Sequence, residues 1–180
     1  TLATDSVDSA ELIDGSIDTA HIAADQITSA ILPAGSVLQV VSAIKTTETR
    51  TTSTSFVNSG LEATITPTAT TSKIFIITYA STVSQETSTF NSAVGASFNI
   101  SRDTTELLGS AGDMQHLNVG TGAAIQVNLA TLGSMSFLDS PSTTSATTYR
   151  LRMKAASAND TIGISHNNSD SSIVLMEIGA

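Results

Sequence analysis

The sequence predicts an all-β chain, with a C-terminal β-sandwich of jelly-roll-like wiring over residues 37–180 preceded by a short decapeptide-repeat trimeric stalk over residues 1–36. Three observations lead there. Aromatics make up 4% and charged residues 13%, while Thr, Ser, Ala, Ile and Val dominate, a composition that suits pleated, half-buried surfaces. Apolar residues alternate with period two in segment after segment of the longer part. The first 36 residues follow a different rule, a period of ten.

In the repeat, Val7, Ile17, Ile27 and Val37 share one register, and Leu2, Leu12, Ile22 and Leu32 share another. Asp5, Gly15, Asp25 and Gly35 mark bends, and Asp8, Asp18 and Thr28 stand where a side chain can cap a short helical turn. One continuous helix is disfavoured, because a ten-residue period does not hold one face of a 3.6-residue helix and Gly15 opposes it. Burying two large aliphatics per unit stabilises by about 3 to 6 kcal/mol, whereas ordering ten backbones costs about 10 to 20 kcal/mol. A lone decapeptide has no second layer to cover them. Either identical copies shelter Val7, Leu12, Ile17, Ile22, Ile27 and Leu32 about an axis, as trimer-core residues, or the segment stays disordered. A homotrimer is the expectation.

Beyond a boundary at Pro33-Ala34-Gly35, strands are expected at Leu38 to Ile44, Leu61 to Ile65, Ile74 to Tyr79, Val94 to Ser101, Ala123 to Ala130, Met135 to Leu138, Tyr149 to Lys154, Ile162 to His166 and Ile173 to Ile178. Eight to ten such strands suit two packed sheets with Greek-key or jelly-roll connections.

Charge narrows the function. The formal net charge is −9, and residues 1–36 hold six acids and no Lys or Arg. No basic patch is available to release counterions from a phosphate backbone, so nucleic acid is not an expected partner. No apolar run exceeds the four residues of Ile74 to Ile77, far too short for a membrane-crossing helix, and no membrane insertion is expected. The absence of Cys excludes disulfides and thiolate metal sites and suits folding in a reducing cytosol. Starting at Thr1, without an initiator or signal segment, the chain reads as a downstream piece of a longer one.

Catalytic signals are weak. No nucleophile-elbow pattern occurs, and neither a His-x-His nor a Cys pair offers metal ligands; no cofactor is expected. Paired acids for glycoside cleavage cannot be read from spacing, and the acids of the β-domain fall mostly in expected turns or on polar faces. Without Trp, and with Tyr79 and Tyr149 both in apolar phase, a lectin platform is poorly supported. His21 occupies a repeat position and reads as an exposed stalk residue, whereas His116 and His166 lie in the polar segments 109–122 and 166–172. Those segments make Asp113, Gln115, His116, Asn118, His166, Asn167, Asn168 and Asp170 the receptor-contact candidates. Arg150, Arg152 and Lys154 form a basic stripe on one strand face, either solvated or reaching Glu177 or Glu62 of a neighbouring copy.

The units Ser6-Val7-Asp8-Ser9-Ala10-Glu11-Leu12-Ile13-Asp14-Gly15 and Ser16-Ile17-Asp18-Thr19-Ala20-His21-Ile22-Ala23 resemble a repeat of phage tail-fibre proteins. Gly35-Ser36-Val37-Leu38-Gln39-Val40-Val41, Ile65-Thr66-Pro67-Thr68, Phe98-Asn99-Ile100-Ser101-Arg102-Asp103 and Val174-Leu175-Met176-Glu177-Ile178 are similar to C-terminal domains of fibre-like virion proteins of tailed bacteriophages, especially cyanophages. The resemblance implies a trimeric structural protein on the phage particle, made in the host cytoplasm, not an enzyme. It would join upstream fibre or other virion proteins and meet a host surface receptor or glycan. The alternative expectation is a capsid decoration or head fibre protein, and a polysaccharide depolymerase is a third.

Overall fold

The structure is a computed structural model that describes Ile22, Ile27 and residues 31–86, 94–109, 113–117 and 127–180. The chain divides into Thr1–Pro33 and Ala34–Ala180. Val7, Leu12 and Ile17 of the repeat lie outside the described residues, as does His21.

The second unit is all-β. Its strands are β1 (Val37–Lys45), β2 (Thr49–Thr51), β3 (Val57–Ile65), β4 (Lys73–Glu86), β5 (Val94–Arg102), β6 (Thr105–Glu106), β7 (Asp113–Leu117), β8 (Val127–Asp139), β9 (Thr147–Ala155), β10 (Asp160–Ile164) and β11 (Ser171–Ile178). They build two antiparallel sheets. In the first, β4 runs through the middle, with β8 paired along one side from Ile74↔Asp139 to Glu86↔Val127. The other side of β4 is shared, β11 pairing its first half and β10 its second. Beyond these two strands lie β1 and β2 respectively. The second sheet runs β3-β9-β5, with β6 and β7 on the far side of β5.

Strict alternation explains how the layers close. On β9 every second residue from Thr147 to Ala155 is buried, and on β11 every second residue from Ser171 to Glu177. Leu61, Ile65, Phe98, Ile100, Leu151 and Met153 of the second sheet meet Ile74, Ile76, Ile162, Ile164, Ile173 and Leu175 of the first in one core. Tyr149 is the largest side chain wholly inside it. Its hydroxyl donates to Asp139 Oδ2 at 2.7 Å, and Arg102 Nη1 donates to both Asp139 oxygens at 2.9–3.0 Å. The last residue of β8 is thereby tied to β5 and β9 in the opposite sheet.

Two strands, β4 and β8, run further than the sequence suggests. The segment from Ile74 to Tyr79 continues to Glu86, and those ending near Ala130 and beginning at Met135 are one strand, β8. Apolar alternation fades because the core-facing positions change from Ile74 and Ile76 to Thr78, Thr82 and Ser84. These hydroxyls remain buried by bonding across the ladder: Thr82 Oγ1 donates to Thr131 O at 3.0 Å and Thr78 Oγ1 to Met135 O at 3.4 Å. Segment 109–122, expected as one polar loop, contains β7, which pairs with β5.

The two outward faces differ in chemistry. Beyond β9 the second sheet shows Arg150, Arg152 and Lys154. On the first sheet, cross-strand register sets Val40, Met176, Phe75 and Leu138 in one row, and Ser42, Val174, Ile77 and Ser136 in the next. Ile44, Ser172, Tyr79 and Ser134 make a third. None of these twelve side chains is charged.

Candidate functional site

Of the receptor-contact candidates, Asp113, Gln115 and His116 belong to β7 and Asn118 lies outside the described residues. His166, Asn167, Asn168 and Asp170 fall together in the β10–β11 connection. Here the expected strand to His166 stops at Ile164, because Ser165 turns left-handed at φ 56° and a 3-10 turn follows over His166–Asn168. Asn167 and Asn168 are left-handed as well, at φ 53° and 59°. Asn tolerates this region better than most residues, whereas Ser at a buried position requires compensation. Ser165 has it: Oγ donates to Lys45 O at 2.9 Å and bonds to Ser171 Oγ at 3.1 Å, and Ser171 Oγ in turn accepts from Ser81 N at 3.2 Å.

Above that buried hydroxyl pair a polar group gathers at one end of the first sheet. His166 Nδ1 lies 3.0 Å from Glu48 Oε1. Arg50 also bonds Glu48, at 2.9 Å through Nη2 and 3.0 Å through Nε, and its Nη1 reaches Gln85 Oε1. Asn168 Oδ1 accepts from Glu48 N at 3.4 Å. Partial burial raises the Glu48 pKa, but hydrogen bonds from His166 and Arg50, and their charges, outweigh it and leave the carboxyl below its usual range. The surface so formed offers a braced imidazole, a guanidinium and exposed amides. It can exchange hydrogen bonds with a polar ligand. Glu48, Arg50 and Gln85 are not legible as part of it, since Gln85 lies 35 residues from Arg50 and His166 lies 118 residues from Glu48, and only the β2–β10–β4 pairing assembles them.

Gly163 makes the arrangement possible. A Cβ there would stand 2.7 Å from Thr49 O and 2.9 Å from Arg50 Cγ. The bare backbone lets β2 approach and lets the Arg50 stem cross the sheet towards Gln85.

Glu177, expected on a polar face or at a subunit contact, is completely buried. Gln39 Nε2 donates to it at 2.6 Å, and Thr68 N and Oγ1 each donate at 2.7 Å. Burial pushes its pKa up, yet the bonds from Gln39 and Thr68 prevail and hold the carboxylate below the ordinary range. It fastens the β3–β4 connection and has no free face. Asp139 and Asp160 are likewise buried, contrary to their expected turn positions, with Asp160 Oδ2 accepting from Ser157 N and Gly95 N.

The basic stripe, expected to be solvated or else to reach Glu177 or Glu62 of a neighbouring copy, finds acids within its own chain. Arg150 Nε meets Glu62, its cross-strand partner on β3, at 2.6 Å, and Arg152 meets Glu106 at 3.1 Å. Lys154 Nζ sits 5.0 Å from the Phe56 ring centroid. Its partners come from the same chain because β3 lies beside β9 and β6 lies one strand beyond it, across β5. No group of three His, Cys, Asp or Glu side chains is placed to hold a metal ion among the described residues.

No family model matches the chain, and no curated protein matches it in sequence. Among solved structures it is similar to dimeric latent PorU from Porphyromonas gingivalis, at 11% identity and a TM-score of 0.33 over 82% of this chain. It is also similar to the infectious bursal disease virus Gt strain structure, at 13% identity and a TM-score of 0.30 over 79% of this chain. The chain spans 14% and 38% of the lengths of those two proteins.

Proposed function

We propose that the chain is the C-terminal part of a trimeric bacteriophage virion fibre, a tail fibre that displays the β-domain for attachment to the host cell. The ten-residue aliphatic ladder carries this reading. Its members alternate with acidic and small polar residues, and those described, Ile22, Ile27 and Leu32, are exposed in the single chain, Ile27 to 55%. Aliphatic side chains repeated at a fixed spacing and left in water call for copies of themselves. The strand order β1-β11-β4-β8 against β3-β9-β5-β7, with β10 continuing the β11 column, reads as jelly-roll wiring, a rigid support suited to presenting end loops. The β10–β11 turn, with its three left-handed residues and the Glu48–His166 brace, is the surface assigned to receptor contact.

Labelling intact phage particles with an antibody to residues 34–180 tests the location. Signal at tail-fibre ends is the expected result, and signal confined to the capsid would turn the reading to a head fibre. Exchanging residues 166–170 for a Gly-Ser linker should lower host adsorption while leaving particle assembly intact. Unchanged adsorption would remove the turn from the attachment surface.

A further inference from the structure

We infer that the outward face of the β1-β11-β4-β8 sheet is a contact between copies of this chain, three faces closing around one axis. The count of three rests on the fibre reading above; the face itself is argued separately. Ile44 and Leu132 are each 66% exposed, and Val40, Tyr79 and Leu138 also stand in water. They are joined by half-buried Ile77, Val174, Phe75 and Met176, with Ser42, Ser134, Ser136 and Ser172 among them, so an uncharged surface of aliphatic, aromatic and hydroxyl side chains runs across four strands. With strands ~4.8 Å apart and residues ~3.3 Å apart, the three uncharged rows on four strands cover roughly 400 Å². That is about half of the roughly 800 Å² each side gives to a standard interface.

Charge identifies the occupant. The chain carries −9, so two copies repel unless they meet where neither is charged. This face meets that condition across its three central rows, and charge resumes only towards its ends, at Lys73 on one side and Arg50 on the other. A partner of opposite charge would find nothing here to pair with. The opposite sheet's outward face, by contrast, is occupied by ion pairs made within the chain.

The Cys-free sequence allows a direct test on the full chain. Tyr79→Cys places a thiol in the middle of the face, and Thr64→Cys places one on the exposed side of β3 in the other sheet. Under mild oxidation, Tyr79→Cys should give a two-chain disulfide species and Thr64→Cys should not. Ile44→Glu with Leu132→Glu should weaken association by about tenfold or more while leaving the far-UV circular dichroism of the folded chain unchanged, because both positions are solvent-facing in the monomer. A compact monomer at micromolar concentration, with Tyr79 protected by the chain's own first segment, would overturn the inference. So would a three-chain species in which Tyr79→Cys links no better than Thr64→Cys; that result would leave the fibre reading standing on the repeat. Conversely, efficient linking in a protein absent from phage particles would remove the fibre reading and keep the interface.

Discussion

At the scale of single residues, the determining positions are those where a side chain, or its absence, fixes the approach of two segments. Gly163 is one. With a Cβ meeting Thr49 O at 2.7 Å, Gly163→Ala must push β2 away, and overpacking of this kind costs about 1–3 kcal/mol, measurable as a lower urea midpoint. The same change should loosen Arg50 from Glu48 and Gln85. Glu177 is another. Its pKa is depressed in the folded chain, so its stabilising contribution is fully present above the unfolded carboxyl value of about 4.5 and is lost as pH falls through the lower folded value. Glu48 titrates with the same sign. Thermal melts should therefore show a loss of stability below about pH 4.5 that is smaller in Glu177→Gln, with the variant itself less stable at pH 7 by about 1–3 kcal/mol. An equal acid slope in both proteins would show that Glu177 does not report on this transition.

At the scale of elements, hydrophobic period alone locates strands well and measures them poorly. β9 and β11 were evident because their buried positions are uniformly spaced and mostly apolar, from Tyr149 to Met153 and from Ile173 to Leu175. The later half of β4 was not, since Thr82 and Ser84 occupy its core side and are tolerated only because neighbouring strands supply acceptors. β2, β6 and β7 have few residues and little apolar content, so pairing partners define them and sequence does not. The candidate site follows the same division. His166, Asn167, Asn168 and Asp170 were legible as a polar connection, whereas the Glu48–Arg50–Gln85 group exists only through the sheet that aligns β2, β10 and β4. The inter-sheet tie is an element-scale feature as well: Asp139→Ala leaves Tyr149 and Arg102 without their shared acceptor. A loss of about 1–3 kcal/mol is expected, whereas Tyr149→Phe, which removes one bond and keeps the ring, should cost less.

For the whole molecule, the interest lies in two sets of apolar side chains left in water, Ile22, Ile27 and Leu32 of the repeat and Val40, Ile44, Tyr79, Leu132 and Leu138 on the outer face of a sheet. If copies cover both, stability is linked to association, and the melting temperature should rise with protein concentration. Deleting residues 1–33 should weaken the oligomer without unfolding the domain, because Ala34–Ala180 is a compact unit of its own. Sedimentation of the full chain and of the shortened one, each across a hundredfold dilution, checks both expectations. A melting temperature independent of concentration in the full chain would show that neither surface is buried by assembly.

The sequence by itself determined that the chain is all-β, which strands are half-buried, and that a decapeptide register ends where the strands begin. These follow from side-chain periodicity, a local property written along the backbone. Only the tertiary structure decided which strands are neighbours, where the acids go and what the outer faces carry. Glu177 became a buried anchor because three donors 109 to 138 residues away converge on it, and the uncharged rows of the first sheet became one face because four distant strands align in register. Pairing between remote segments is set by the balance of all contacts at once, and no short stretch of sequence contains it.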